Sequence, residues 1–355
     1  MRPFIFEAHI PRTIFGSGTL DQLPDEVRRL HAKRVLLVIE NTDRQRATAD
    51  RVTALLGSAA VGTCTDAVMH TPEEITLKAL NQVKAANADC LVTVGGGSTI
   101  GLGKALSVRT GIPHIAVPTT YAGSEATPIL GETVNNLKTT RSDPKILPTT
   151  IVYDVDLTLT LPRHLTYTSG INAIAHCVEA LYSSQSNPII ESVAVMGIAK
   201  LRQALLKLRE MPDDMAARGL ATTGAWAAGI CLGHVGMAIH HKLCHTLGGS
   251  FGLPHSETHT VLLPHAMAYN AEAAPDAMST IRRLFDSQTS AARAMWDMEK
   301  ELGTVTSLRD LGMKEQDLEK AADLALQARY PNPAPLERAK LLALLVDAYH
   351  GSPPK

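Results

Sequence analysis

Between Arg34 and Tyr153 four short, apolar, β-branched runs alternate with helical stretches, and after Pro162 the strand signal stops. The runs cover residues 34–39, 90–94, 114–117 and 150–153. A strand that is apolar at successive positions has no face to offer to water, so it belongs in a parallel sheet covered by helices on both sides. Intervening helical patterns, residues 72–87 among them, supply that cover. Past Pro162 come long Ala- and Leu-rich segments, at 170–182, 190–209, 215–230, 235–247, 291–302 and 337–349, which read as helices. The expected fold is an α/β N-terminal domain with a parallel sheet over residues 1–158 and an all-α C-terminal domain over residues 159–355. A chain of 355 residues that is 45% hydrophobic carries enough apolar surface for two such cores. No internal repeat or low-complexity segment is visible, and residues 351–355 read as a frayed end.

The strand ending at Val94 runs straight into Gly95, Gly96, Gly97 and Ser98, and then into a helical stretch. Glycines at a strand-to-helix turn let backbone N–H groups approach a pyrophosphate closely, and the helix dipole favours its charge. A turn that only needs positive φ would use glycine as well. The next strand, however, ends in a second polar turn that contains Thr119, Thr120 and Ser124. Open α/β sheets bind ligands at their strand C-termini, so two such turns in succession point to a dinucleotide. Glu40, just past the 34–39 run, is placed to accept hydrogen bonds from an adenosine ribose and would repel a 2′-phosphate. NADH is therefore expected, with NADPH possible.

The helical half carries His241, His245 and His255 within fifteen residues, at a metal-site spacing. Asn172 and His176 form an earlier i, i+4 pair, on one face of a helix. Two helices that each turn such a pair inward can surround a small ion or a substrate group. Asn172 stands where a metal site would want a carboxylate. Glu179, one turn past His176 on the same face, reads as a structural partner. His240, His259 and His265 read as satisfied, partly buried histidines, and helical phase turns Cys244 away from the histidine face.

Other classes are disfavoured. A formal net charge of −1 leaves no basic footprint for nucleic acid. Five widely spaced cysteines with no Cys-x-x-Cys read as reduced thiols. No signal-peptide pattern and no long uninterrupted apolar stretch is present. A cytoplasmic location is expected.

Taken together, Gly95 to Ser98, Pro118-Thr119-Thr120, Gly123-Ser124-Glu125, Gly170-x-Asn172-Ala-x-x-His176 and the run from His241 to His255 resemble the iron-containing alcohol dehydrogenase family. The likeness extends from Phe15-Gly-Ser-Gly18 to the last helices. It implies a dinucleotide-binding domain, a helical domain and an active site in the cleft between them, in a homodimer. Position by position, the family's histidine metal ligands fall on His176, His241 and His255. His245 matches a non-ligand histidine near the nicotinamide, and Lys138 a lysine at the same end of the cofactor.

Three departures are equally informative. The family's aspartate ligand is Asn172, its usual aspartate in the glycine-loop helix is Gly101, and the turn at 118–125 is one residue shorter. These departures resemble one branch of the family, the maleylacetate reductases, which use NAD(P)H to reduce a carbon–carbon double bond during bacterial breakdown of aromatic compounds. An alcohol dehydrogenase can stabilise its alkoxide with a Lewis-acidic metal. Losing the one anionic ligand should weaken metal binding strongly. Conjugate reduction develops charge on an enolate oxygen, which hydrogen-bond donors stabilise at ~3–4 kcal/mol per well-placed donor. The expectation is therefore a dicarboxylate substrate met by Asn172, His176, His241 and His255, with His245 and these same four residues catalytic and no metal expected. Arg141, Lys145 and Arg163 are the cations nearby in sequence. Two other readings remain open: a metal-dependent alcohol dehydrogenase that tolerates Asn172, and a lyase in the style of dehydroquinate synthase.

Overall fold

The continuous apolar runs pair where a parallel sheet hides both of its faces. The computed structural model describes residues 3–134, 137–327 and 329–355. They divide into two units, Ala8–Leu161 and Pro162–Lys355, the second joined by the N-terminal segment through Glu7. In the first unit the strands are β1 (Arg12–Gly16), β2 (Val35–Val38), β3 (Ala60–Cys64), β4 (Cys90–Gly95), β5 (His114–Pro118), β6 (Ile129–Val134), β7 (Leu137–Ser142) and β8 (Thr150–Asp154). Six of them form one sheet in the order β1-β8-β5-β4-β2-β3 with every pairing parallel, while β6 and β7 make a separate antiparallel pair. Helices α1 (Leu23–Arg29), α2 (Asp43–Leu56), α3 (Glu73–Ala85) and α4 (Gly97–Thr110) accompany the sheet.

The four expected strands are the inner ones: β2, β4, β5 and β8 are buried at every position. The edge strands β1 and β3 were not expected, and each is partly exposed. An edge strand needs little apolar surface, so its sequence carries little signal. The first unit ends at Leu161, three residues beyond the expected boundary of 158. The carboxylates of Asp154 and Asp156 accept from the backbone N–H groups of Gly18 and Leu20 and tie the end of β8 to the start of the sheet.

The second unit is helical: α5 (Arg163–Tyr182), α6 (Pro188–Glu210), α7 (Met215–His234), α8 (Ile239–Phe251), α9 (His255–Asn270), α10 (Pro275–Leu284), α11 (Ala291–Leu302), α12 (Leu318–Leu326) and α13 (Arg338–His350). Gly170 lets α5 lie close against α6, because a Cβ there would stand 2.8 Å from Leu205 Cδ2. That contact helps set the depth of the α5 face that carries Asn172 and His176. One core gathers Ile239, Leu243 and Leu247 of α8, Val261, Leu262 and Ala266 of α9, and Leu341 and Leu345 of α13. Helices α8 and α9 are thereby clamped together by apolar contact. No described helix is long and apolar enough to cross a membrane.

One buried group makes stability depend on pH. Glu299 of α11 is fully buried, and neither carboxyl oxygen has a partner among the described residues. Burial pushes its pKa well above the ordinary value of 4.5. The folded protein then holds a proton that the unfolded chain has released, so Glu299 costs stability as pH rises from about 4.5 towards the folded pKa. Urea unfolding across pH 4 to 8 should show the wild type losing stability relative to Glu299→Gln over that window. Parallel stability curves for the two proteins would refute a buried, protonated carboxyl.

Candidate active site

Two polar turns leave adjacent strands side by side. Gly95 of β4 pairs with Pro118 of β5, and the Thr119 N–H donates to Gly95 O at 3.0 Å. Helix α4 begins at Gly97 with no side-chain cap on its first N–H groups. Those groups are available to an anion. A Cβ on Gly96 would stand 3.0 Å from Thr120 Cγ2, so glycine is what keeps that approach open. Thr119 Oγ1 and Ser124 Oγ are buried with no hydrogen-bond partner among the described residues, while Thr120 and Ser98 are half-buried on the same turns. An uncapped helix start beside orphaned hydroxyls fits a dinucleotide pyrophosphate.

Groups that the sequence reading passed over hold this face together. Gln45 of α2 accepts from the Glu40 backbone N–H at 2.7 Å and donates to Glu40 Oε2 at 3.0 Å, which fixes the carboxylate beyond β2. Buried Lys104 donates to the carbonyls of Ser124, Thr127 and Ile129 at 2.5–3.0 Å and pins the second turn from beneath. Burial pulls the Lys104 pKa down to about 7, with the Glu125 charge opposing the shift. Lys138 lies on β7, but its side chain is outside the described residues. Gly96→Val should raise KM for the dinucleotide by roughly tenfold or more through the lost backbone approach. Dinucleotide titration followed by protein fluorescence measures this, and an unchanged affinity would remove the glycine turn from the site.

In the helical unit, α5 contributes Asn172, His176 and Glu179, all buried. Helix α8 contributes His240 and His241, both buried, and half-buried His245; α9 opens on half-buried His255 and carries buried His259 one turn later. Ring centroids lie 4.9 Å apart for His176 and His241, 6.2 Å for His241 and His245, 4.9 Å for His241 and His259, and 4.4 Å for His255 and His259. Burial first, then the mutual repulsion of the imidazoles, pushes His176 and His259 well below the ordinary histidine range. The same causes bring His240 to about 3, with the Glu179 charge opposing them.

Glu179 organises this cluster. Its Oε2 accepts from His241 Nδ1 at 2.7 Å and from the Ala238 N–H at 2.9 Å, and its Oε1 accepts from the His240 N–H at 2.9 Å. One carboxylate on α5 thus caps the start of α8 and orients the working ring of His241. Burial alone would raise the Glu179 pKa. The hydrogen bond and charge of His241, the charge of His240 and the Ala238 N–H outweigh it, so the group is held below the ordinary carboxylate value.

The expected residues are not all brought together. Asn172, His176, Glu179 and the α8 and α9 histidines share one cluster. His240 and His259, set aside as satisfied histidines on sequence grounds, belong to it as well: each is fully buried with one ring nitrogen unpartnered. Buried His265 also has its Nε2 unpartnered. Cys244 stands 3.7 Å from His240 Nε2, on the buried side of α8. Arg163 opens α5 and is exposed, nine residues (172 − 163) ahead of Asn172 and so about 14 Å away along the helix. Arg141 is exposed and ion-paired with Glu132 at 3.7 Å, and Lys145 is exposed.

The resemblance implies iron, and one donor of the family's set is changed: Asn172 offers a neutral amide where the family has an aspartate. Asn172 Oδ1, His176 Nδ1 and His241 Nε2 are buried with no partner among the described residues, so the pocket does call for a ligand. Its donors are an amide and imidazoles, while Glu179 spends its charge on His241 and the α8 backbone. The triplet of metal-type side chains that converges among the described residues is His240, Cys244 and His259, within 4.8 Å, and it omits the family positions His176, His241 and His255 as a set.

Residues 11–155 match the family model described as iron-containing alcohol dehydrogenase, and residues 166–349 match its C-terminal counterpart. The chain belongs to the iron-containing alcohol dehydrogenase family. A maleylacetate reductase from Burkholderia cepacia is 48% identical over the full length of both chains. Two solved maleylacetate reductases also cover both chains fully. The Agrobacterium tumefaciens structure has TM-score 0.94 at 45% identity, and that from Rhizobium sp. strain MTP-10005 has TM-score 0.93 at 46%.

Proposed function

We propose that this chain reduces the carbon–carbon double bond of maleylacetate, giving 3-oxoadipate, and that its histidine pocket does so without a metal. The observation that carries the reading is Asn172: a neutral, buried amide with an unpartnered oxygen among imidazoles, where the family's metal site needs an anion. Full-length identity of 48% to a maleylacetate reductase supports the same substrate.

In this reading Gly95, Gly96, Gly97, Ser98, Thr119, Thr120 and Ser124 hold the pyrophosphate of the dinucleotide, and Glu40, fixed by Gln45, takes the ribose and favours NADH. Lys138 and His245 serve the nicotinamide end. The dinucleotide supplies a hydride when bound, and the rest falls to side chains. As hydride reaches the carbon β to the ketone, charge builds on the ketone oxygen, and donors on His176, His255 and Asn172 meet it, joined by His241 Nε2 when that ring is an imidazolium with its Nδ1–H on Glu179. An Asn amide can turn either its nitrogen or its oxygen to a ligand, so Asn172 suits a carboxylate or the developing enolate. His245 is the proton source for the enolate carbon. Arg141 and Arg163 act as outlying cations that draw the dianion in. The reading also carries a cytoplasmic homodimer serving aromatic breakdown, and sedimentation of the purified protein tests the dimer.

NADH consumption by purified protein should be fast with maleylacetate and negligible, in the reverse direction with NAD, with ethanol or propanediol, which lack carboxylates. Brisk alcohol oxidation without maleylacetate turnover would transfer the chain to the alcohol dehydrogenases.

A further inference from the structure

We infer that His259 is a further working imidazole of this site, presenting Nε2 to the substrate, and that His240 is the residue that positions it. The inference deepens the reductase reading and rests on it. His259 lies one turn into α9 from His255, fully buried, with its ring centroid 4.4 Å from His255, 4.9 Å from His241 and 6.4 Å from His176. Its two nitrogens have different fates. Nδ1 is 3.0 Å from His240 Nε2, while Nε2 is buried with no hydrogen-bond partner. Buried polar atoms without partners are rare and costly in folded chains, and here the orphan belongs to a ring packed among three site histidines.

His240 explains why that orphan stays in place. A flip of the His259 ring would break the 3.0 Å contact, so the His240 bond fixes which edge of His259 faces onward. With the shared proton on His240 Nε2, neutral His259 carries its hydrogen at Nε2 and is a donor. The nearby Cys244 Sγ, 3.7 Å from the same His240 nitrogen, gives that ring a second polar neighbour. The role of His259 is to donate a hydrogen bond to the charge that collects on the substrate oxygen, so no bond to His259 forms or breaks. Hydride and proton still add across the double bond as before.

Amide substitutions separate this role from a structural one. A glutamine amide reaches the position of a histidine Nε2, and an asparagine amide reaches that of Nδ1. His259→Ala and His259→Asn should each lower kcat with maleylacetate by about 10²–10³-fold, the cost of one oxyanion donor, with KM for NADH unchanged. His259→Gln should recover roughly tenfold or more of that loss. His240→Ala should lower kcat less, and the double variant His240→Ala/His259→Ala should be no slower than His259→Ala alone, because His240 acts through His259. A structural role predicts the opposite order, with His259→Asn active and His259→Gln impaired, and that order would overturn the inference. So would full kcat in His259→Ala, or one equivalent of zinc or iron that is lost in both His240→Ala and Cys244→Ala, which would make the triplet a metal site. Should His259→Ala fail to fold, the Gln and Asn variants decide. A wild type that does not turn over maleylacetate refutes the reductase reading. Wild-type turnover with an undiminished His259→Ala refutes this inference alone.

Discussion

Glu179→Gln should lower kcat for maleylacetate by about 10²–10⁴-fold while the protein remains folded, and Glu179→Ala should also cost about 3–5 kcal/mol of stability. The two effects have separate origins. The buried carboxylate accepts four bonds, from His241 Nδ1, from the backbone N–H groups of Ala238 and His240, and from the Tyr182 hydroxyl at 3.5 Å. Alanine removes every acceptor at once and leaves a ring nitrogen and two helix-start N–H groups stranded away from water. Glutamine keeps the volume and one acceptor oxygen, but its NH₂ group faces donors that it cannot satisfy. The α8 start survives in part, while His241 loses the anion that holds Nδ1–H in place and stabilises the ring as charge develops opposite Nε2. Because that interaction strengthens towards the transition state, kcat should fall more than KM for maleylacetate rises. Steady-state kinetics with urea unfolding on the same preparations separates the two. A Glu179→Gln enzyme with wild-type kcat would show that His241 needs no orientation.

Glu179 also marks the limit of what the sequence could convey. Its place one turn past His176 made it a structural partner on sight, but its partner sits sixty-two residues on (241 − 179), and nothing local names His241 as the ring it holds. Strands β2, β4, β5 and β8 were legible because burial on both faces demands apolar residues throughout. Strands β1 and β3 were not, since a sheet edge makes no such demand. Helix α9 escaped for another reason: it opens on polar residues and contains Pro264, which removes the N–H that Thr260 O would accept. Without that helix, His259 reads as a satisfied, partly buried histidine. Its spacing from His255 is i, i+4, the same as that of His245 from His241, and it was the available signal. Arg141 pairs with Glu132 at 3.7 Å across the β6–β7 hairpin, a contact that nearness to the motif in sequence does not convey.

Asn172→Asp should turn a pocket with little hold on divalent metal into one that retains zinc or iron through dialysis, with affinity raised by about 10²-fold or more, the scale on which ligand-sphere changes act. Wild-type maleylacetate turnover should survive prolonged EDTA treatment and gain nothing from added metal. The charge count is the reason. Asn172 offers an amide oxygen, His176 is held neutral by burial, and Glu179 is committed to His241, so a dication would enter with no direct anionic ligand. Aspartate at 172 restores that ligand. The same carboxylate faces a dianionic substrate and a developing enolate, and a like charge at 4 Å is worth about 4 kcal/mol at an effective dielectric of 20. The metal-free variant should accordingly lose at least about tenfold in kcat/KM for maleylacetate, since some of that repulsion is relieved by protonation or by movement of the substrate. Metal analysis of dialysed wild type and Asn172→Asp, paired with turnover before and after chelation, reads both effects. If chelation abolishes wild-type activity and iron or zinc restores it, the imidazoles of His176, His241 and His255 act through an ion and the metal-free reading falls.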